Sequence, residues 1–178
     1  PHDEKLYDYY ATSQLAVIDP SGKVREIGTP AVYENAGFSP DGKYILVTRI
    51  QRPYSYLFPD FRFPKKYEVW DTNGKLVKHL LDTPLIDNLP AQGVQTGPRG
   101  YGWIPTEPAT LIWTEALDGG DPNKKAPHRD KLVTLAAPFN TSPNDLLKLE
   151  QRFQGRFFGE RDGMMMFADY DRDKRRRR

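Results

Sequence analysis

The most regular apolar run in the chain, Tyr44-Ile45-Leu46-Val47-Thr48, stands directly behind Ser39-Pro40-Asp41-Gly42. Proline presets φ at one turn position and glycine accepts a positive φ at another, so this turn and the β-rich run after it predict a hairpin over 37–49. Two later segments share the plan: Trp103-Ile104-Pro105-Thr106 ahead of Thr110-Leu111-Ile112-Trp113, and Phe158-Gly159-Glu160-Arg161-Asp162-Gly163 ahead of Met164-Met165-Met166-Phe167. Each places an aromatic residue before a turn and a strand after it.

A second element lies between these hairpins. Leu15-Ala16-Val17-Ile18 runs into Asp19-Pro20-Ser21-Gly22-Lys23, and Tyr67-Glu68-Val69-Trp70 runs into Asp71-Thr72-Asn73-Gly74-Lys75. Both read as strand, Asp-x-x-Gly-Lys turn, strand. A weaker copy starts at Asp130-Lys131-Leu132-Val133, with its turn replaced by residues 139–145. Only over 142–153 does the pattern allow a helical turn, capped by Ser142 or Asn144.

Four strands per unit, repeated over roughly 14–65, 66–128 and 129–178, predict an all-β chain: a partial β-propeller of about three four-stranded antiparallel blades. Blades bury their faces only against neighbours, and a closed ring has about four to eight of them. The expected chain is therefore part of a ring. A compact β-sandwich of the same strands is the alternative.

Composition agrees with short strands and tight turns: the 178 residues include 14 glycines, 16 prolines, 10 tyrosines and 9 phenylalanines. Lysine and arginine total 26 against 24 acidic residues, too even for the positive field that nucleic-acid binding requires. With no cysteine, disulfides, thiolate metal sites and cysteine nucleophiles are excluded, and the compartment stays open. No apolar run reaches the roughly 18 residues of a membrane span. The opening Pro1-His2-Asp3-Glu4-Lys5 is not a signal sequence, and together with the closing arginine run it leads us to expect a segment of a longer precursor.

Several residue groups invite a chemical reading. His2, His79 and His128 are the only histidines, and no serine carries a Gly-x-Ser-x-Gly elbow, so a catalytic triad is not expected. His128 is expected to order the loop behind Gly119-Gly120-Asp121-Pro122. Asp169, Asp171 and Asp173 open like a calcium loop, but its required glycine and later glutamate are missing, so solvent or the terminal arginines are expected to satisfy them. Gly97-Pro98-Arg99-Gly100-Tyr101-Gly102 lacks the helix a phosphate loop needs and reads as a connection, while Arg175 to Arg178 read as a solvated charge run. No metal or other cofactor is expected. The best binding candidates are Arg49, Arg52, Tyr54 and Tyr56, in a loop rich in guanidinium and phenol groups behind the strongest strand. Their competing role is to brace the blade through cation–π and hydrogen-bond contacts.

The ordered series Thr48-Arg49-Ile50-Gln51-Arg52-Pro53-Tyr54-Ser55-Tyr56, Arg62-Phe63-Pro64, Glu68-Val69-Trp70-Asp71, Gly93-Val94-Gln95-Thr96-Gly97-Pro98-Arg99, Pro108-Ala109-Thr110-Leu111-Ile112-Trp113-Thr114-Glu115-Ala116 and His128-Arg129-Asp130 resembles the N-terminal propeller of the prolyl oligopeptidase family of serine peptidases, in its glutamyl endopeptidase branch. The resemblance covers nearly the whole chain. It implies a parent in which the propeller gates substrates by size and a C-terminal α/β-hydrolase domain, absent here, cleaves peptides after glutamate. On that reading the chain itself is non-catalytic. Its partners are a peptide substrate and the hydrolase domain, with no nucleic acid and no membrane, and the isolated piece should self-associate. A bacterial parent would place it in the periplasm or outside the cell, and a plant parent in the plastid. The rival reading is a stand-alone, protein-binding propeller module.

Overall fold

The computed structural model describes residues 2–160 and 163–178. They form two compact units, one ending at Asp87 and the next starting at Asn88. The chain is all-β, with four antiparallel sheets and a single α-helix among the described residues.

In the first unit, α1 (His2–Ala11) precedes a hairpin of β1 (Ser13–Ile18) and β2 (Val24–Ala31). A four-stranded meander follows: β3 (Tyr33–Phe38), β4 (Tyr44–Ile50), β5 (Lys65–Asp71) and β6 (Leu76–Thr83), paired in chain order. The second unit holds a like meander of β7 (Arg99–Trp103), β8 (Thr110–Ala116), β9 (Asp130–Ala136) and β10 (Asn144–Leu149). Its other sheet has three strands, β11 (Arg152–Phe158), β12 (Met165–Asp171) and β13 (Arg176–Arg177).

The second strand of each meander explains the core. Ile45, Leu46 and Val47 of β4 are buried in succession, as are Leu111, Ile112 and Trp113 of β8. Successive side chains point to opposite faces, so both faces of these strands are covered, and each such residue contributes about 1.5–3 kcal/mol by leaving water. On one face of β4, Ile45 and Val47 join Trp70 and Ile27, with Leu15, Val17 and Tyr33 against them. The β1–β2 hairpin thus packs onto the neighbouring sheet. Gly28 permits the contact: a Cβ there, at φ +68, would lie 2.6 Å from the Trp70 ring.

The predicted hairpins form. Phe38 pairs with Ile45, Trp103 with Leu111 and Phe158 with Met165. The turn residues Arg161 and Asp162 of the third lie outside the described residues. The two Asp-x-x-Gly-Lys turns share their backbone hydrogen bonds, and the first adds one from the Ser21 hydroxyl to Asp19. Asp19 Oδ1 accepts from the N–H of Ser21 (2.8 Å) and Lys23 (3.0 Å), and Asp71 Oδ1 from those of Asn73 (2.8 Å) and Lys75 (3.0 Å). Each sequence repeat nevertheless contributes strands to two sheets: 14–65 carries β1–β2 with β3–β4 and ends at the first residue of β5, 66–128 carries the rest of β5 and β6 with β7–β8, and 129–178 carries β9–β10 with the three strands β11–β13.

Three expectations are corrected. The helical turn over 142–153 is instead β10 and the start of β11, since Asp145, Leu147 and Lys148 find ladder partners in Val133, Leu132 and Lys131, which outweigh a local cap. The connection expected over 97–102 contains β7, where Gly100 (φ +67) absorbs a register shift that lets Trp103 pair with β8. Helix α1 was not foreseen because its polar, short sequence has no buried residue of its own. It is held instead by Tyr7 and Ala11 resting on Val32, Ile50 and Phe63.

Candidate functional site

The four sequence-chosen residues fall into two places. Arg49, on β4, donates from Nη2 to Glu68 Oε2 on β5 at 2.6 Å, and its guanidinium stands 5.4 Å from the Trp70 ring centroid. The same Glu68 oxygen accepts the Trp70 indole N–H at 3.0 Å. Arg49 thus braces the sheet, on the face it shares with Glu68 and Trp70 rather than at a binding loop.

Arg52, Tyr54 and Tyr56 do come together, in the loop over 51–64 and against α1. Arg52 pairs with Asp8 and, at 3.4 Å, with Glu4, while its guanidinium lies 5.6 Å from the Tyr54 ring. The Tyr54 hydroxyl donates to Asp8. Tyr54 stacks on Phe63 at 5.5 Å and tilts against Tyr7 at 4.5 Å. Hydrogen bonds from Arg52 and then Tyr54 hold the Asp8 carboxyl below its ordinary range, and burial, followed by the Asp8 bond, pushes Tyr54 up to about 12. Tyr56, 64% exposed, forms the outer wall of a small cleft of about 170 Å³ with Asp3, Glu4 and Tyr7. A ligand carboxylate arriving at Arg52 has to displace two from α1.

A larger cleft, about 500 Å³, lies in the second unit and escaped the sequence reading. Four connections build it. Gln92 and Val94 come from the segment before β7, Pro122 and Arg129 from the loop between β8 and β9, Gln151 and Arg152 from the start of β11, and Tyr170, Arg172 and Arg175 from the end of β12 and its turn. Residues this far apart share no spacing. The only legible signals were the charges themselves, which read as a solvated run and a failed calcium loop.

Beneath the cleft lies a buried ionic network. Arg152 donates from Nη2 to Asp118 Oδ2 and from Nη1 to Asp130 Oδ1, each at 2.6 Å. Arg129 reaches Asp118 at 3.0 Å, and Arg99 reaches Asp130 at 2.6 Å. Both carboxylates are fully buried, at 0% exposure. The Gly120 and Phe153 N–H groups complete them. Burial alone would raise the Asp118 carboxyl, but the guanidiniums of Arg152 and Arg129 outweigh it and hold the group below its ordinary value. The network ties the 117–129 loop to β7, β9 and β11. Arg129 therefore does the ordering expected of His128, through Asp118 and the Lys124 carbonyl.

The aspartate series divides likewise. Asp169 is bound by the exposed Arg178 at 3.0 Å, as expected of a terminal arginine, while Asp171 Oδ1 accepts the Asp173 and Lys174 N–H groups in a turn. Among the described residues no cluster of histidine and carboxylate side chains could hold a metal ion. His79 pairs with Asp82, at 3.0 Å.

No family model matches the chain, and no solved structure matches it. A protein of Oryza sativa subsp. japonica named "Probable glutamyl endopeptidase, chloroplastic" is 43% identical over 158 residues, covering 86% of this chain and 17% of the relative. The chain is similar to a segment of plant glutamyl endopeptidases. The Arabidopsis thaliana protein of the same name is 42% identical over 158 residues, again 86% of this chain and 16% of the relative. The chain thus spans a small part of the length of the glutamyl endopeptidases it matches.

Proposed function

We propose that the chain is a non-catalytic, substrate-gating stretch of β-propeller in a serine peptidase of the glutamyl endopeptidase kind. The observation that carries this reading is the 42–43% identity to two proteins of that name. The sheets support it: two four-stranded meanders in chain order, flanked by a hairpin and a three-stranded sheet, suit successive blades. The rest of such a peptidase, including an α/β-hydrolase domain, would supply nucleophile and base, and the propeller would admit only peptides that fit past it.

The test uses the whole gene product. An α/β-hydrolase sequence with a Gly-x-Ser-x-Gly elbow must lie in the same reading frame, and a stop codon after further blades would favour a stand-alone binding module. The purified product should cleave a short glutamate-containing peptide much faster than the same sequence inside a folded protein's exposed loop. Equal rates on the two would remove the gating role.

A further inference from the structure

We infer that the arginine-lined cleft of the second unit is a binding site for an acidic peptide, with a carboxylate held between Arg172 and Arg175. The inference concerns the chain itself and does not depend on the peptidase reading.

The charge balance places the attraction at the rim. Below the cleft, the guanidiniums of Arg99, Arg129 and Arg152 face the two carboxylates of Asp118 and Asp130, leaving one positive charge over. At the rim, Arg172 pairs with Asp173 and Arg175 lines the same cleft, so two guanidiniums stand there beside one lining carboxylate, leaving another. Arg172 is only loosely engaged, by Asp173 at 3.2 Å and the Asn123 amide oxygen at 3.3 Å, both exposed contacts that a better acceptor can replace. Arg152, by contrast, is bound on both sides at 2.6 Å and serves as a fixed floor. Planar guanidiniums in a concave site suit a carboxylate, which accepts two parallel hydrogen bonds.

The other walls select the rest of the ligand. Gln92, Gln151 and Gln154 offer amide donors and acceptors of the kind that pair with a peptide backbone, and Val94 and Pro122 are apolar. A bare inorganic anion would leave both unused. The cleft volume of about 500 Å³ is that of a site for several heavy-atom groups rather than one ion. The Arg52 loop is the poorer carboxylate site, because Asp8 and Glu4 already take up the donors of its guanidinium.

The experiment is fluorescence anisotropy on the 178-residue chain with a labelled acetyl-Ala-Glu-Glu-Ala-amide, its Gln-for-Glu counterpart, and unlabelled inorganic phosphate as competitor. The glutamate peptide should bind and the glutamine peptide should bind at least tenfold more weakly, as expected when a charge-assisted bond is lost. Arg172→Ala with Arg175→Ala should weaken glutamate-peptide binding by tenfold or more with an unchanged thermal midpoint, and Arg172→Lys with Arg175→Lys should recover part of it. Arg52→Ala should leave it unchanged. No binding of the glutamate peptide, equal binding of the two peptides, unaltered binding in the double alanine variant, or displacement by phosphate at the peptide's own concentration would each overturn the inference.

Discussion

Arg152 and Asp118 meet 2.6 Å apart, the aspartate fully buried and the arginine shared with Asp130 on its other side. Removing one partner of a buried pair leaves the other uncompensated, which costs about 3–5 kcal/mol. Arg152→Met should therefore lower the unfolding free energy of the second unit, read from urea titration, by an amount of that order. Arg152→Met combined with Asp118→Asn should cost less than the two single changes together. Additive losses would mean that the pair is not coupled.

The same aspartate sets an acid limit. Its folded value lies below 3.8, its ordinary value, so the stability it contributes is present above 3.8 and is lost as pH falls through the folded value. Acid titration followed by tryptophan fluorescence should show wild-type unfolding in this low range, and Asp118→Asn should flatten that part of the curve. A transition of unchanged shape in the variant would exclude Asp118 as its source.

Helix α1 should depend on Arg52. In Arg52→Ala, Asp8 keeps only the Tyr54 hydroxyl and Glu4 loses its ion pair, so trypsin should cut after Lys5 faster than in the wild type. In the longer gene product the same change should leave the ratio of kcat/KM for glutamate and glutamine peptides unaltered. A selective loss on the glutamate peptide of roughly tenfold or more would instead show that α1 yields its place to substrate.

The isolated chain should hydrolyse no glutamyl peptide, since no serine in it stands in an exposed nucleophile elbow. Turnover that co-purifies with the chain and is blocked by a serine-directed inhibitor would contradict this.

Self-association is also expected. β1 pairs on one side only, and Ile18, Val24, Leu57 and Phe157 are exposed apolar groups. Light scattering should show mass rising with concentration, because open strand edges template pairing. A strict monomer at every concentration would count against blades awaiting neighbours.

Hairpins were legible because their information is local: Pro40, Asp41 and Gly42 act on their own backbone, and so do Asp19 with Gly22 and Asp71 with Gly74. Strand β10 was not, since Leu146 and Leu147 satisfy a helix or a strand equally until β9 offers its ladder. The Arg52 cluster was half visible. The sequence showed the guanidinium and phenols, but not that an unforeseen helix would deliver Asp8 to them. The cleft was invisible because Arg129 and Arg152 converge through the Asp118 and Asp130 network while Arg172 and Arg175 come from the distant turn after β12, an arrangement no spacing encodes.

The offset between sequence repeat and sheet has a consequence for how such a chain can change in length. Recombination that joined the loop after β4 to the loop before β9 would delete four strands, yet the survivors β3, β4, β9 and β10 would still supply the four positions of one meander. Duplication at the same points would insert a whole sheet by the same logic. Unequal crossing-over could thus alter the number of sheets without stranding half of one, so copy number becomes a variable that evolution can sample in whole steps.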